Sequence, residues 1–262
     1  MRVHVVSDVH GNVDDLKRAG EGADALVVLG DLIDFVDYHD YGRGILGAVF
    51  GAQKVAHFAE LRRNSRGHEI AAYARSLWAS LANPAEVVDD AVRGQYAKLF
   101  AAMPAPTYVT AGNVDAPHLW SEFAGAGIHI MDGESVEIGG LRFGFVGGGV
   151  LPPGATLRRH APWVPYLRSE DEFNEALAGL ASLDVLCSHV PPAIPELLYD
   201  VVARRAEHGS KGLLGRIHQD APRWSLFGHV HQPLSQRMRV GHTECVNVGH
   251  FQRIGRPYVL RW

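Results

Sequence analysis

The sequence predicts a single mixed α/β domain, and three observations carry that prediction. The chain opens with a strand–helix–strand pattern over residues 2–6, 12–20 and 25–29. Short apolar runs of strand character recur later, and several end in a motif rich in Asp, Asn or His. Between the second and third of these, residues 35–103 change to alanine, leucine and charged residues at helical spacing. A chain of 262 residues can bury one sizeable core. Residues 35–103 are therefore read as a helical insertion inside one domain spanning 1–262.

The elements follow from local pattern. Residues 2–6 (RVHVV) alternate and are β-branched, a strand signal. Asn12 suits the cap of a helix running to Gly20. Residues 25–29 (ALVVL) form a continuous apolar run, as expected of a strand buried on both faces. The insertion reads as two to four helices, one of them starting at Asn83-Pro84 as a cap and first-turn proline. Strands resume at 107–110, 128–130, 135–138 and 141–146, with Gly139-Gly140 turning a hairpin. A helix over 169–182 precedes strands at 184–187 and 225–227. Strands at 235–240 and 244–248 pair around Gly241-His242, and 257–260 forms the last strand.

Composition narrows the function classes. The net charge of −4 and pI near 6.4 argue against broad binding to a nucleic-acid backbone, which needs a basic face. A small anionic substrate is still compatible, because bound cations would supply local positive charge. Cys187 and Cys245 lie inside strand-like runs and read as buried reduced thiols. No cleavable apolar leader and no run near the roughly 20 apolar residues needed to span a bilayer is visible. A cytoplasmic protein without membrane attachment is the expectation, and oligomeric state has no signature in the sequence.

Five fragments carry chemistry: Asp8-Val9-His10, Gly30-Asp31-Leu32-Ile33-Asp34, Gly112-Asn113-Val114-Asp115, Ser188-His189-Val190-Pro191-Pro192 and Gly228-His229-Val230-His231. Each follows a strand-like run, so each sits on a loop leaving a strand end, where open α/β sheets bind ligands. Alternate residues of an extended chain share a face, so one cation can take both Asp8 and His10. Asp31 can bridge two cations through its two oxygens. Asn113, His189 and His229 suit the second cation, and His231 can return to the first. Carboxylates, an amide and imidazoles make a mixed O/N site suited to two divalent ions such as Mn, Fe or Zn. Two cations about 3.5–4 Å apart can hold a phosphoryl group and activate a bridging water, so no serine or cysteine nucleophile is needed. Asp-x-His or His-x-His alone arises often by chance; the ordered set does not.

This order of motifs resembles the calcineurin-like metallophosphoesterase superfamily over residues 8 to about 250, the helical stretch excluded. Residues 247–250 (NVGH) are similar to the family's closing N-P-G-S. The resemblance implies a two-sheet β sandwich flanked by helices. It implies Asp8, His10, Asp31 and His231 at one metal and Asp31, Asn113, His189 and His229 at the other, with Asp34 orienting ligands from behind. A small phosphorylated substrate, hydrolysed by a metal-bridging hydroxide, goes with it. Val114 departs from the pattern: the family's familiar third motif has a histidine there that helps protonate the leaving group. A branch lacking this histidine includes phosphodiesterases, so phosphodiesters are expected ahead of monoesters. Asp115 and His118 are candidates to replace it; their ordinary readings are a cap and a surface histidine. A non-catalytic interaction module on the same fold is the competing reading, although such members tend to have damaged metal motifs.

Weaker signals remain. Tyr38 and His39 lie soon after Asp34 and are expected to line the cleft mouth. Residues 42–47 match G-x-G-x-x-G without a preceding strand. Arg62, Arg63 and Arg66, and the cluster Arg158-Arg159-His160, read as solvated basic surface.

Overall fold

A computed structural model describes residues 1–64, 67–157 and 161–262; Arg66 and Arg158-Arg159-His160 lie outside the described residues. The chain begins β1 (Arg2–Val6), α1 (Val13–Leu16), β2 (Ala25–Val28), α2 (Gly44–Phe50), α3 (Ala52–Arg63), α4 (Gly67–Ala79), α5 (Pro84–Ala102) and β3 (Thr107–Val109). A 3-10 turn at Pro117–Glu122 leads to β4 (Ile128–Ile130), β5 (Glu134–Ile138), β6 (Leu141–Val146), β7 (Gly149–Val150) and β8 (Leu167–Arg168). Then come α6 (Glu170–Ala178), β9 (Val185–Ser188), α7 (Pro195–Leu198), β10 (Tyr199–Asp200), β11 (Arg205–Ala206) and α8 (Lys211–Asp220). The last elements are β12 (Trp224–Phe227), β13 (Arg237–Val240), β14 (Thr243–Asn247), α9 (Phe251–Ile254) and β15 (Tyr258–Arg261).

Two main sheets result. One has the order β15-β1-β2-β3-β4, the other β13-β14-β12-β9-β6-β5. Strands β1 to β4 run parallel, as do β6, β9, β12 and β14, while β15, β13 and β5 close the edges antiparallel. Strand alternation explains why two sheets stack. Val3, Val5, Ala25, Val27 and Leu29 share one buried cluster with Phe143, Val185, Cys187, Trp224 and Leu226 of the second sheet. The opposite faces carry Val6, Leu26 and Val28, which meet Val92, Tyr96 and Leu99 of α5. On the far side, α6 and α8 cover the second sheet with Phe173, Leu177, Leu213 and Ile217. The fold is thus a two-sheet sandwich between helical layers, with no helix among the described residues long and apolar enough to cross a membrane.

Among the described residues the stretch 35–103 holds four helices, and they do two different jobs. Helix α5 packs on the first sheet as the crossover between β2 and β3. Helices α2 to α4 build their own small core from Leu46, Phe50, Val55 and Leu77. The appended unit is therefore narrower than the helical stretch of the sequence. The first helix also ends early, at Leu16: Asn12 accepts from the Asp15 N–H at 3.2 Å, but Gly20 and Gly22 follow and the chain turns back. Helix α8 has no counterpart in the sequence reading. Gly212 and Gly215 weaken its propensity, and buried Leu213 and Ile217 hold it by packing. Cys187 and Cys245 are free and buried, as expected.

Candidate metal centre

All five fragments leave the C-terminal ends of parallel strands: β1, β2 and β3 in one sheet, β9 and β12 in the other. The loops stay laced together beyond the strands. The N–H of Asp8 donates to the Gly30 carbonyl at 3.0 Å, that of His10 to Asp31 at 2.9 Å, and that of Gly228 to His189 at 2.9 Å. Asp8, His10, Asp31 and His229 have φ of 56°, 39°, 52° and 68°. They are four of the six non-glycine residues with positive φ among the described residues, and such strain concentrates at functional sites. Neighbouring glycines admit this crowding. A Cβ at Gly112 would lie 2.1 Å from Asp31 Oδ1, and one at Gly228 would lie 2.4 Å from Asp8 Oδ2. The glycine that begins these two motifs is a close-approach residue.

The side chains converge. His231 Nε2 lies 3.3 Å from His10 Nε2 and 3.5 Å from Asp8 Oδ1. Asp31 faces two ways: Oδ2 is 3.8 Å from His10 Nε2, and Oδ1 is 3.4 Å from His189 Nε2. His189 Nε2 is 3.0 Å from Asn113 Oδ1, and the His189 and His229 ring centroids are 5.1 Å apart. The far sides of two rings are fixed by backbone carbonyls: His10 Nδ1 meets Ile33 O at 3.2 Å, and His189 Nδ1 meets Leu29 O at 2.8 Å. A ring nitrogen against a carbonyl must carry the proton, so in the neutral form each ring turns its Nε2 lone pair inward, as metal-ligating histidines do. Asp8 Oδ1 is buried without a hydrogen-bond partner, while Oδ2 accepts from the His229 N–H at 2.9 Å. An orphaned buried carboxylate oxygen beside inward-facing imidazole lone pairs fits a divalent cation. Asp8, Asp31 and His189 form one compact donor group, and His10, His231 and His250 form another.

Electrostatics match this crowding. Burial would raise the Asp8 carboxyl, but the close approach and charge of His231 hold it well below the usual range. Asp31 is drawn down to about 2, against burial, by His189. His189 is pushed up to about 9, against burial, by Asp31 and Asp8. Burial and the charge of His189 push His229 down to about 4. Burial and the charge of His231 take His250 down to about 3.

Other expectations fare differently. Asp34 is buried, but its carboxylate has no hydrogen bond to the converging donors among the described residues; the carbonyl of Ile33, one residue earlier, orients His10. Asp34 serves instead through its backbone, which exchanges hydrogen bonds with Gln95 at 2.8 and 3.0 Å. The catalytic expectation for Asp115 does not fit its placement. It is 1% exposed, and its oxygens accept from the N–H groups of Leu32 at 3.0 Å and Gly112 at 2.8 Å. It clamps the Asp31 and Asn113 loops together. Val114 is half-buried in the apolar cluster under α5, and its N–H donates to Asp31 Oδ1 at 3.0 Å. His118 is exposed on a cleft of about 480 Å³ between α5 and residues 161–164. Tyr38 and His39 are exposed; Arg62 donates to the Tyr38 hydroxyl at 2.6 Å and lies over its ring. Among the described residues, neither has a hydrogen bond, ion pair or ring contact with the converging donors.

Two residues went unassigned in the sequence reading beyond their place in the closing motif. Asn247 donates to the carbonyls of Gly228 at 3.2 Å and Val230 at 2.9 Å, pinning the Gly-His-Val-His loop. His250 stacks on His231 with centroids 3.8 Å apart and 19° between planes. The sequence marked His250 only as the end of the closing motif; its place against His231 is set by the fold.

The family model described as calcineurin-like phosphoesterase matches residues 1–233. One solved structure, 17% identical, superposes with TM-score 0.58 over 96% of this chain and 91% of that one. TT1561 of Thermus thermophilus, 14% identical, gives TM-score 0.54 over 99% of this chain and 98% of that one. At these identities the likeness shows the fold alone. No curated protein matches the chain.

Proposed function

The chain belongs to the calcineurin-like phosphoesterase family, a family of metal-dependent hydrolases of phosphoesters, and from that premise we propose that it is a phosphodiesterase with a dinuclear centre. Asp8, His10, Asp31 and His231 would hold one divalent cation; Asp31, Asn113, His189 and His229 would hold the other. The observation that carries this reading is the meeting of these donors around the buried carboxylates of Asp8 and Asp31. Bound there, two cations of the Mn, Fe or Zn class would supply Lewis acidity and an activated water to a small phosphorylated substrate.

The protein's own part is to orient and to exclude. Carbonyls of Ile33 and Leu29 hold the tautomers of His10 and His189. The N–H of Val114 holds one oxygen of Asp31, and Asp115 ties the two loops that carry Asp31 and Asn113. The side chain of Val114 packs on the apolar cluster that also takes Phe35, Trp163 and Tyr166. Valine offers no proton at the family's usual position, which favours esters whose leaving group departs as a stable anion.

The test is hydrolysis of bis-p-nitrophenyl phosphate against p-nitrophenyl phosphate with each metal, metal content being measured alongside. A graded series of phosphodiesters on wild type and Val114→His follows. The expected result is diester preference with a steep dependence on leaving-group pKa, relieved in Val114→His for the most basic leaving groups. A flat dependence in wild type, with the chemical step limiting, would mean that another group donates the proton.

A further inference from the structure

We propose that His250 is a further metal ligand, so that the cation at the His10–His231 end is held by three imidazoles. This rests on the dinuclear reading and goes beyond its ligand set. One nitrogen from each of His10, His231 and His250 lies within 4.8 Å of the others. The rings are packed from two sides: His250 is stacked on His231, and it meets His10 edge-on at 5.7 Å and 89°. His250 is 4% exposed, and its backbone is locked beside the Asp8 loop. It bridges to Ser7, while the N–H groups of Phe251 and Gln252 donate to Ser7 and Asp8 at 3.0 Å each.

The hydrogen bonds settle which nitrogen is available. Gln252 Nε2 donates to the His10 carbonyl at 3.1 Å, which orients that amide. Its Oε1 then faces His250 Nε2 at 3.2 Å, so Nε2 carries the proton and Nδ1 keeps the lone pair. A carbonyl oxygen behind the ring is the partner that metal-ligating histidines have; His10 and His189 have a backbone carbonyl on Nδ1, and His250 has an amide oxygen on Nε2. A histidine kept only for packing would not need to sit with a ring nitrogen within 4.8 Å of nitrogens of two other imidazoles. Three imidazoles shift this position toward Fe, Co, Ni or Zn, and away from Mn and Mg.

The test uses the metal-free full chain loaded with Co²⁺ or Mn²⁺. Readouts are bound metal per chain, affinity by chelator competition, and the hyperfine-shifted exchangeable imidazole N–H resonances of the Co²⁺ form. Wild type should bind two ions and show five such resonances. His250→Ser and His250→Gln should each lose one resonance and weaken one Co²⁺ site by about 10–100-fold or more, with a smaller change for Mn²⁺. Four resonances in a two-ion wild type, or unchanged Co²⁺ affinity in either folded variant, overturns ligation by His250 and leaves the dinuclear centre standing. A wild type that holds fewer than two ions overturns the centre and this inference with it. The resonance count in wild type decides the matter even if both variants misfold.

Discussion

Asp31 is the residue on which the proposed centre turns, because its two oxygens face different imidazoles, His10 at 3.8 Å and His189 at 3.4 Å. An amide in its place has one oxygen to offer and no charge to share. Asp31→Asn is expected to keep the fold, retain at most one ion per chain and lose at least about 100-fold in turnover, beyond the usual effect of outer partners. Two bound ions with full turnover in the variant would exclude the bridging role. Asn247 acts at one remove. Asn247→Ala leaves the Val230 and Gly228 carbonyls without their side-chain donor inside the protein. A loss of about 1–3 kcal/mol is expected, with weaker metal binding at His229 and His231. Denaturant melts and metal titration check the pair of effects; an unchanged melt would show that the loop holds itself.

The helices after β2 divide into a crossover and an addition. Helix α5 is part of the sandwich, whereas α2 to α4 rest on a small core of their own. They begin directly behind the Asp31 loop: the Ile45 N–H donates to the Asp34 carbonyl at 2.9 Å. Phe35, at their base, stacks on Trp163 at 4.5 Å, close to the segment that packs with Val114. An addition that starts there is expected to shape what approaches the centre. Leu77→Ala should remove about 2–5 kcal/mol from the small core, with faster hydrogen exchange in α2–α4 and altered preference among phosphodiesters. Metal content should stay at the wild-type value. Loss of metal together with exchange protection would show that these helices support the centre itself.

At the scale of the whole molecule, stability should carry a signature of Asp34. Burial, then the charges of Asp37 and Asp40, push its carboxyl up to about 7 from 3.8, against Arg43. The folded state therefore keeps a proton that the unfolded state loses first. Stability from this group is full below about pH 4 and declines as pH rises toward 7. In metal-free protein, Asp34→Asn should gain in melting temperature over wild type, more at pH 8 than at pH 5, and by little near pH 4. A difference that is constant across this range would mean that Asp34 titrates normally.

By itself the sequence determined the strands of the two main sheets and the polar residues at their ends. Those signals are local: β-branched alternation, apolar runs and motifs of two to five residues. Asp8, His10, Asp31, Asn113, His189, His229 and His231 were all legible because each sits in such a motif, and the structure brings them together at two adjoining sheet edges. What belongs to tertiary structure is whatever depends on packing between distant segments. Helix α8 forms despite two glycines because a sheet face needs covering. Asp115 clamps rather than donates because Leu32 and Gly112 reach it first. Orientation of His10 comes from a backbone carbonyl, which no side-chain pattern can announce. His250 joins the site because β14 runs parallel to β12 and delivers the following loop beside Asp8, a proximity created by the sheet and absent from the chain.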